Sequence, residues 1–243
     1  MRGLPKFFVR PDSVREGRIV LPPEEAAHIS RVLRLRKGDE ITVCDGACND
    51  YRCAIAELSP ERVLCEILSS ARCESEPSLF VALYMGLPKA DKLEWVIQKA
   101  VELGVSRITP VEMVRCVARE KSGEKKLQRR RQLALAAAKQ SGRGIVPEVT
   151  ESIPLAEAAD RMGEDELSFL LYERAGKNAG LPELRGVRSL SFLVGPEGGV
   201  APEEAELLRA KGVRPIGLGE RILRCETAPI TFLSILMYLS GNF

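Results

Sequence analysis

The sequence predicts an α/β protein that carries a small β-barrel ahead of a parallel-sheet domain. From Leu79 onward, apolar runs alternate with helical patterns, which is typical of a parallel sheet with crossover helices. Residues 1–72 instead hold short extended runs separated by turn residues, which favours a small barrel. The polar stretch 73–78 separates the two patterns. We therefore predict one domain over 1–72 and a second over 73–243.

The amino-terminal domain contains candidate strands at 7–9, 18–21, 40–44, 51–55 and 63–68. One helix is predicted among them, from about Pro23 to Arg34, because a proline opens it and two glutamates follow at its positive end.

The second domain contains five longer apolar runs, which we predict to be strands at 79–85, 107–111, 167–172, 190–194 and 213–218. The best-defined helix runs from Lys92 to Leu103, with Asp91 as its N-cap and Gly104 as its terminator. Further helices are predicted from Pro202 to Gly212 and from Thr227 to Leu239. The last of these is apolar on nearly every side, so its own domain or a second copy of the protein must cover it.

The composition excludes several classes of protein. Of the 243 residues, 45% are hydrophobic, which is ordinary for a globular protein. No apolar run approaches the roughly 18 to 20 residues that cross a bilayer, and residues 1–6 do not resemble a secretory signal. We therefore expect a cytoplasmic protein with no membrane association.

The cysteines and the single histidine argue against a metal site. Seven cysteines without a Cys-x-x-Cys pair favour free thiols, although the closeness of Cys44, Cys48 and Cys53 leaves a metal site as the alternative. Because His28 is the only histidine, neither a hydrolytic triad nor a multi-histidine metal centre is expected. We predict no metal.

Charge is unevenly distributed along the chain. Residues 115–143 hold ten basic and two acidic groups, a net charge of +8, whereas the whole chain carries only +2. A polyanion is the partner that this distribution favours. By default Arg129, Arg130 and Arg131 would be a solvated helix face, but within this segment we interpret them, with Arg115 and Arg119, as phosphate contacts.

Two glycine-containing stretches each follow an apolar run: Leu193–Gly199 and Leu218–Ala228. Their spacing admits one helix and one strand, which would bring two neighbouring strand ends to one edge of the sheet. Glycines there permit a positive φ or a close approach to a ligand. Neither Gly-Lys-Ser/Thr nor Gly-x-Gly-x-x-Gly is present, which disfavours a P-loop or a dinucleotide site. We predict a small-molecule pocket between the two stretches.

With these two stretches, the sequence resembles the ribosomal RNA small subunit methyltransferase E family of the SPOUT class. The resemblance also rests on Phe7–Val9, His28–Arg34, the block Lys89–Val105 and the motif Gln140–Arg143. Lys139 is a departure, because an acidic residue is expected before Gln140.

The resemblance implies a PUA-like barrel, a SPOUT domain with a deep trefoil knot, and a homodimer that builds each active site from two subunits. It implies methylation of N3 of a uridine in 16S rRNA, uridine 1498 in the usual bacterial numbering, on the small ribosomal subunit. The implied cofactor is S-adenosylmethionine, held by residues of the two stretches and of one further strand: Leu171, Gly195, Pro196, Gly198, Gly199, Leu218, Gly219, Ile222, Leu223, Thr227 and Ala228.

For catalysis we predict Arg143, whose planar donors could stabilise negative charge on the uracil edge without a change of protonation. A phosphate contact is the alternative for Arg143. Glu197 is the candidate carboxylate beside the cofactor, although it could equally cap the following turn, and Glu226 is interpreted as structural. His28, Arg31 and Arg34 are further candidate RNA contacts, and a packing or solvent position is the alternative for His28. Two rival functions stay open: a methyltransferase for another RNA position, and a non-catalytic RNA-binding assembly factor.

Overall fold

The computed structural model describes residues 4–117, 123–175, 180 and 182–243. They group into two compact units. The first holds the chain up to Glu76 together with Ala138–Val146, and the second holds Pro77–Ala137 with Pro147–Phe243. Within these described residues, every helix is too short or too polar to cross a membrane.

The first unit is built on a sheet whose described strands are β1 (Lys6–Phe8), β2 (Val14–Arg15), β3 (Arg18–Leu21), β4 (Glu40–Cys44), β5 (Asn49–Leu58) and β6 (Val63–Arg72). Their order is β1-β4-β5-β6-β3-β2, with β1 parallel to β4 and the other pairs antiparallel. Alternate residues such as Ile19, Leu21, Ile41 and Val43 point into one core. The five predicted strands are confirmed, and β5 and β6 are longer than predicted.

The predicted helix of the first unit is confirmed over most of its length. Helix α1 (Pro23–Ala27) continues into one π-helical turn, His28–Val32, in which the amide of Leu33 donates to the carbonyl of His28. Arg34 has a φ of 56°, and this left-handed conformation ends the helical segment.

The described strands of the second unit form a parallel sheet: β7 (Phe80–Gly86), β8 (Arg107–Glu112), β9 (Glu148–Val149), β10 (Ile153–Pro154), β11 (Leu167–Leu171), β12 (Ser189–Val194) and β13 (Arg214–Ile216). The order is β10-β8-β7-β12-β11-β13, and β9 pairs with β8. The central strands β7 and β12 are buried almost throughout, because helices cover both faces of a parallel sheet. All five predicted strands are present.

One prediction about this sheet is wrong. The strands that precede the two glycine stretches, β12 and β13, are not neighbours, because β11 lies between them and pairs with both. All three strands are parallel, so their carboxyl ends still lie at one edge of the sheet.

The described helices that follow α1 are α2 (Lys92–Glu102), α3 (Glu124–Ser141), α4 (Leu155–Met162), α5 (Pro202–Ala210) and α6 (Thr227–Leu239). The predicted helices α2, α5 and α6 are confirmed. Asp91 lies at the predicted N-cap position of α2, but its side chain makes no cap hydrogen bond, because its ψ of 13° is not extended. Glu94, in the first turn of α2, pairs with Arg129.

Candidate active site

The carboxyl ends of β11, β12 and β13 open into a cavity of about 520 Å³. Its walls come from Leu171–Glu173, the loop Val194–Val200, the loop Ile216–Cys225, and the side chains of Lys92 and Ala228. The two glycine stretches, which are separated in sequence by α5 and β13, therefore meet at one cavity.

Ten of the eleven residues predicted to hold a cofactor line this cavity: Leu171, Gly195, Pro196, Gly198, Gly199, Leu218, Gly219, Ile222, Leu223 and Ala228. The eleventh, Thr227, begins α6 and is not part of the lining. Glu197, the predicted carboxylate, is part of it.

The first loop requires glycine because of packing inside the protein. A Cβ on Gly195 would lie 2.8 Å from Cγ2 of Val200, and a Cβ on Gly198 would lie 2.9 Å from Cβ of Arg115. Gly199 has a φ of 71°. Sequence reasoning attributed these glycines to a positive φ or to ligand approach, whereas contacts with the protein's own chain restrict Gly195 and Gly198.

The second loop requires glycine because of its backbone conformation. Gly219 has a φ of 98°, and a Cβ there would meet no atom within 4 Å. Ile222 in the same loop is 86% exposed although it lines the cavity. An apolar side chain in this position is available to a bound molecule or to a second protein chain.

Lys92 joins both loops to the start of α2. Its Nζ lies 3.0 Å from Oε1 of Glu197 and 3.1 Å from Oε2 of Glu226. The amide of Lys89 donates to Oε1 of Glu197 at 3.1 Å. Sequence reasoning missed Lys92. The available signal was a cation on the first residue of a helix, where the helix dipole disfavours it unless carboxylates are close.

The titration of the cavity's acidic groups follows from these contacts. Partial burial raises the pKa of Glu197, but hydrogen bonds from its own amide, from Lys92 and from the Lys89 amide outweigh burial, so that pKa lies below its usual range. Burial and the neighbouring Glu226 raise the pKa of the Cys225 thiol to about 12. At neutral pH the cavity therefore presents an ionised Glu197 and a neutral thiol.

Comparison with known proteins assigns the chain to a family. A family profile for an RNA methyltransferase domain matches residues 75–237, and one for an RNA methyltransferase PUA domain matches residues 21–68. A ribosomal RNA small subunit methyltransferase E of Bacillus subtilis is 34% identical over 224 residues, which is 88% of each chain. This chain belongs to the ribosomal RNA small subunit methyltransferase E family.

Solved structures and further relatives agree with the assignment. The crystal structure of a ribosomal RNA small subunit methyltransferase E from Neisseria gonorrhoeae, bound to S-adenosylmethionine, is 31% identical and covers 98% of both chains with a TM-score of 0.89. The methyltransferase E of Mesomycoplasma hyopneumoniae is 33% identical over 94% of this chain and 97% of its own.

In this member of the methyltransferase E family, Arg143 is buried in the first unit with only 3% of its surface exposed. Its Nε and Nη2 each donate to one carboxylate oxygen of Glu76 at 2.8 Å. Glu76 also accepts the amides of Gly144 at 2.7 Å and Ile145 at 3.1 Å. Burial by itself raises the pKa of Glu76, but the lowering by Arg143 and by these two amides is larger. The pKa of Glu76 therefore lies below its usual range. The catalytic role of Arg143 stays a prediction.

The segment that contains Arg143 is held at several further points of the first unit. The carbonyl of Gly142 accepts hydrogen bonds from Nζ of Lys6 at 3.0 Å and from Oγ of Ser75 at 2.7 Å. Lys139, the departure from the family pattern, forms an ion pair with Glu25. A carboxylate is therefore present beside position 139, although α1 supplies it.

The residues predicted to contact RNA differ in their surroundings. His28, Arg31 and Arg34 are exposed on the first unit, and the His28 ring packs edge-on against Phe7. On α3, Arg129 pairs with Glu94 at 2.7 Å, Arg130 is half-buried, and Nε of Arg131 donates to the carbonyl of Val149 at 3.2 Å. Arg115 donates to the carbonyl of Gly198 at 3.0 Å. Arg119 lies outside the described residues.

Proposed function

We propose that this protein transfers a methyl group from S-adenosylmethionine to N3 of a uridine in 16S rRNA, uridine 1498 in the usual bacterial numbering, on the small ribosomal subunit. The observation that carries the proposal is the single cavity formed by the two glycine loops. It occurs in a chain that aligns over 98% of its length with a relative bound to S-adenosylmethionine.

The cavity fits this cofactor in size and chemistry. Its volume of about 520 Å³ lies within the range of about 300–1,000 Å³ that is usual for small-molecule sites. Leu171, Leu218 and Ile222 offer apolar surface to an adenine ring, and the glycine backbones offer amides and carbonyls to its polar edges. When bound, the cofactor supplies a methyl group on positively charged sulfur, which is already a strong electrophile. We propose that the eleven predicted residues, Thr227 included, hold it.

The chain's own task is to make uracil N3 nucleophilic. Removal of the N3 proton places negative charge on the O2–N3–O4 edge, and we propose that the guanidinium of Arg143 stabilises that charge. Glu76 fixes the plane of this guanidinium through two parallel hydrogen bonds. Glu197 is the proposed proton acceptor. Its lowered pKa keeps it ionised at neutral pH but makes it a weak base, so the accepted proton must pass on to water.

A homodimer is the proposed assembly. Exposed apolar side chains support it: Tyr238 and Leu239 on α6 are 75% and 49% exposed, and Ile222 beside the cavity is 86% exposed. Such surface is unfavourable in water unless another chain covers it.

The remaining proposals concern the domains. We propose a PUA-like RNA-binding barrel over 1–72 and a SPOUT domain with a trefoil knot over 73–243. The two family matches, at 21–68 and 75–237, support this division. In the order β7-β12-β11 a later strand lies between two earlier ones, as a threaded chain requires. We propose that RNA binds to His28, Arg31 and Arg34 on the barrel and to Arg115, Arg119, Arg129, Arg130 and Arg131 on the second domain.

The proposal is tested by labelled methyl transfer to small subunits, followed by mapping of the modified nucleotide. N3 methylation blocks Watson–Crick pairing and stops reverse transcription at uridine 1498. A 2′-O-methyl group, or a stop elsewhere, would instead indicate a methyltransferase for another position. If calorimetry detects no binding of S-adenosylmethionine, the chain is a non-catalytic RNA-binding protein and the proposal fails.

A further inference from the structure

Arg115 contacts the first glycine loop from outside the cavity. Its Nη1 donates to the carbonyl of Gly198 at 3.0 Å, and a Cβ on Gly198 would lie 2.9 Å from Cβ of Arg115. Gly198 lines the cavity, whereas Arg115 does not. Arg115 therefore contacts a loop that lines the cavity without lining the cavity itself.

The backbone that carries Arg115 is itself fixed. Glu204 is buried, and its two carboxylate oxygens accept the amide of Val114 at 2.7 Å and the amide of Ala201 at 2.9 Å. This carboxylate ties the segment after β8 to the first turn of α5. The backbone next to Arg115 is therefore anchored close to its contact with Gly198.

Arg115 is exposed to solvent. Within the part of the chain that the structure describes, its bond to Gly198 is the one hydrogen bond it makes. A guanidinium has five N–H donors in a planar fork, so one edge can hold the Gly198 carbonyl while another takes an anion. Arg115, a predicted RNA contact of the second domain, thus already contacts a residue of the cavity wall.

We propose that Arg115 is a positioning residue that couples RNA binding to cofactor binding. An RNA phosphate on its outer edge fixes the guanidinium, and the bond to Gly198 then holds the first glycine loop in its binding conformation. RNA therefore tightens cofactor binding, and by linkage the cofactor tightens RNA binding by the same factor. This inference rests on the proposed function, because it takes the cavity as the site of S-adenosylmethionine.

Lysine at position 115 separates the two roles of the side chain. Lys keeps the positive charge and can bind a phosphate, but its compact ammonium lacks the fork that holds two partners in fixed directions. Arg115→Lys should therefore keep most of the RNA affinity and lose most of the coupling. Gly198→Ala disturbs the same contact from the other side, because its new Cβ must displace Cβ of Arg115.

The test is calorimetric binding of S-adenosylhomocysteine, which cannot react, with and without saturating small ribosomal subunits that lack the modification. We expect saturating subunits to tighten binding to the wild-type protein at least about fivefold, the lower end of usual coupling between sites. The tightening should fall below about twofold in Arg115→Ala, Arg115→Lys and Gly198→Ala. Arg214→Ala is the matched control, since Arg214 is an exposed cation at the start of β13, the end away from the cavity, and it should keep the full effect.

Measurement at saturating concentrations of small subunits distinguishes the coupling role of Arg115 from a simple phosphate contact. If Arg115 only binds phosphate, Arg115→Ala needs more subunits to reach saturation but then shows the wild-type tightening, and the inference is overturned. An absence of any tightening in the wild-type protein overturns it as well. If S-adenosylhomocysteine binds to no variant, the proposed function fails, and the inference fails with it.

Discussion

Arg143 and Glu76 form a buried pair in which each side chain depends on the other. The side chains are only 4% and 14% exposed, and the two parallel hydrogen bonds have charge-assisted lengths. Removal of one partner from such a pair leaves an uncompensated buried charge, which costs about 3–5 kcal/mol. Loss of activity on mutation of Arg143 is therefore not by itself evidence of catalysis.

Arg143→Ala should lower the free energy of unfolding by about 3 kcal/mol, measured by urea denaturation. Arg188→Ala is a suitable control, because Arg188 pairs with Glu166 at the surface with its side chain 89% exposed and should lose less than about 1 kcal/mol.

Arg143→Lys keeps a charge opposite Glu76, and we expect it to stay folded while activity per folded molecule falls by at least about tenfold. Wild-type activity in folded Arg143→Lys would contradict a catalytic role.

The lowered pKa of Glu76 makes part of the stability dependent on pH. A carboxyl group with a folded pKa below its ordinary value of 4.5 stabilises the protein above that value, and the contribution is lost as pH falls through the folded pKa. We expect wild type to exceed Glu76→Gln in unfolding free energy at pH 7, and the difference to narrow below about pH 4.5. Urea denaturation across this range measures it, and a pH-independent difference would contradict the assignment.

At the scale of elements, the two glycine loops carry different constraints. Gly219 and Gly212 provide a matched pair, since both have a positive φ, at 98° and 85°, and a Cβ added at either position would meet no atom within 4 Å. Gly219 lines the cavity, whereas Gly212 lies in the turn after α5.

Alanine at either position should lower the free energy of unfolding by about 1–2 kcal/mol, because a Cβ disfavours the left-handed conformation. Gly219→Ala should in addition weaken S-adenosylmethionine binding at least about fivefold, since the strained loop can relax away from its binding conformation. Calorimetry and urea denaturation separate the two effects. Equal cofactor affinity in the two variants would show that the second loop does not take part in cofactor binding.

Local sequence signals predicted the elements better than their arrangement. Helices α2, α5 and α6 and five of the seven described strands of the second unit follow from apolar periodicity and from proline and glycine at their ends. The two-residue strands β9 and β10 are too short to show a period, and α4 was not predicted. The position of β11 between β12 and β13 depends on long-range packing, which spacing along the chain does not encode.

The site, like the fold, was predictable where local sequence signals determine it and not where long-range contacts do. The glycine loops carry their own turn chemistry, which predicted a pocket between them, and ten of the eleven residues that the family resemblance implies line that cavity. Lys92 was missed because its role appears only when Glu197 and Glu226, from two distant loops, meet beside it. The burial of Arg143 was missed because Glu76 lies in a stretch that reads as a polar linker.

At the scale of the whole molecule, the exposed apolar side chains of α6 predict self-association. Tyr238→Glu should shift the protein toward monomer in sedimentation velocity, because it places a charge on a 75% exposed aromatic position of the proposed interface. Val20→Glu in the first unit introduces the same charge at a 44% exposed apolar position and should leave the mass unchanged. A monomeric wild-type protein at micromolar concentration would contradict the proposed dimer.

The first unit includes residues 138–146, which lie far along the chain from the rest of the unit, and this affects its folding during synthesis. The contacts of Glu76 with Arg143, Gly144 and Ile145 span 67 to 69 residues. At translation rates of about 5–20 residues per second, Glu76 leaves the ribosome several seconds before these partners. During that interval the carboxylate of Glu76 in the nascent amino-terminal unit lacks the hydrogen bonds from these three residues. A recombinant fragment cut after residue 76 would keep that defect permanently, whereas one that grafts residues 138–146 onto its end would repair it.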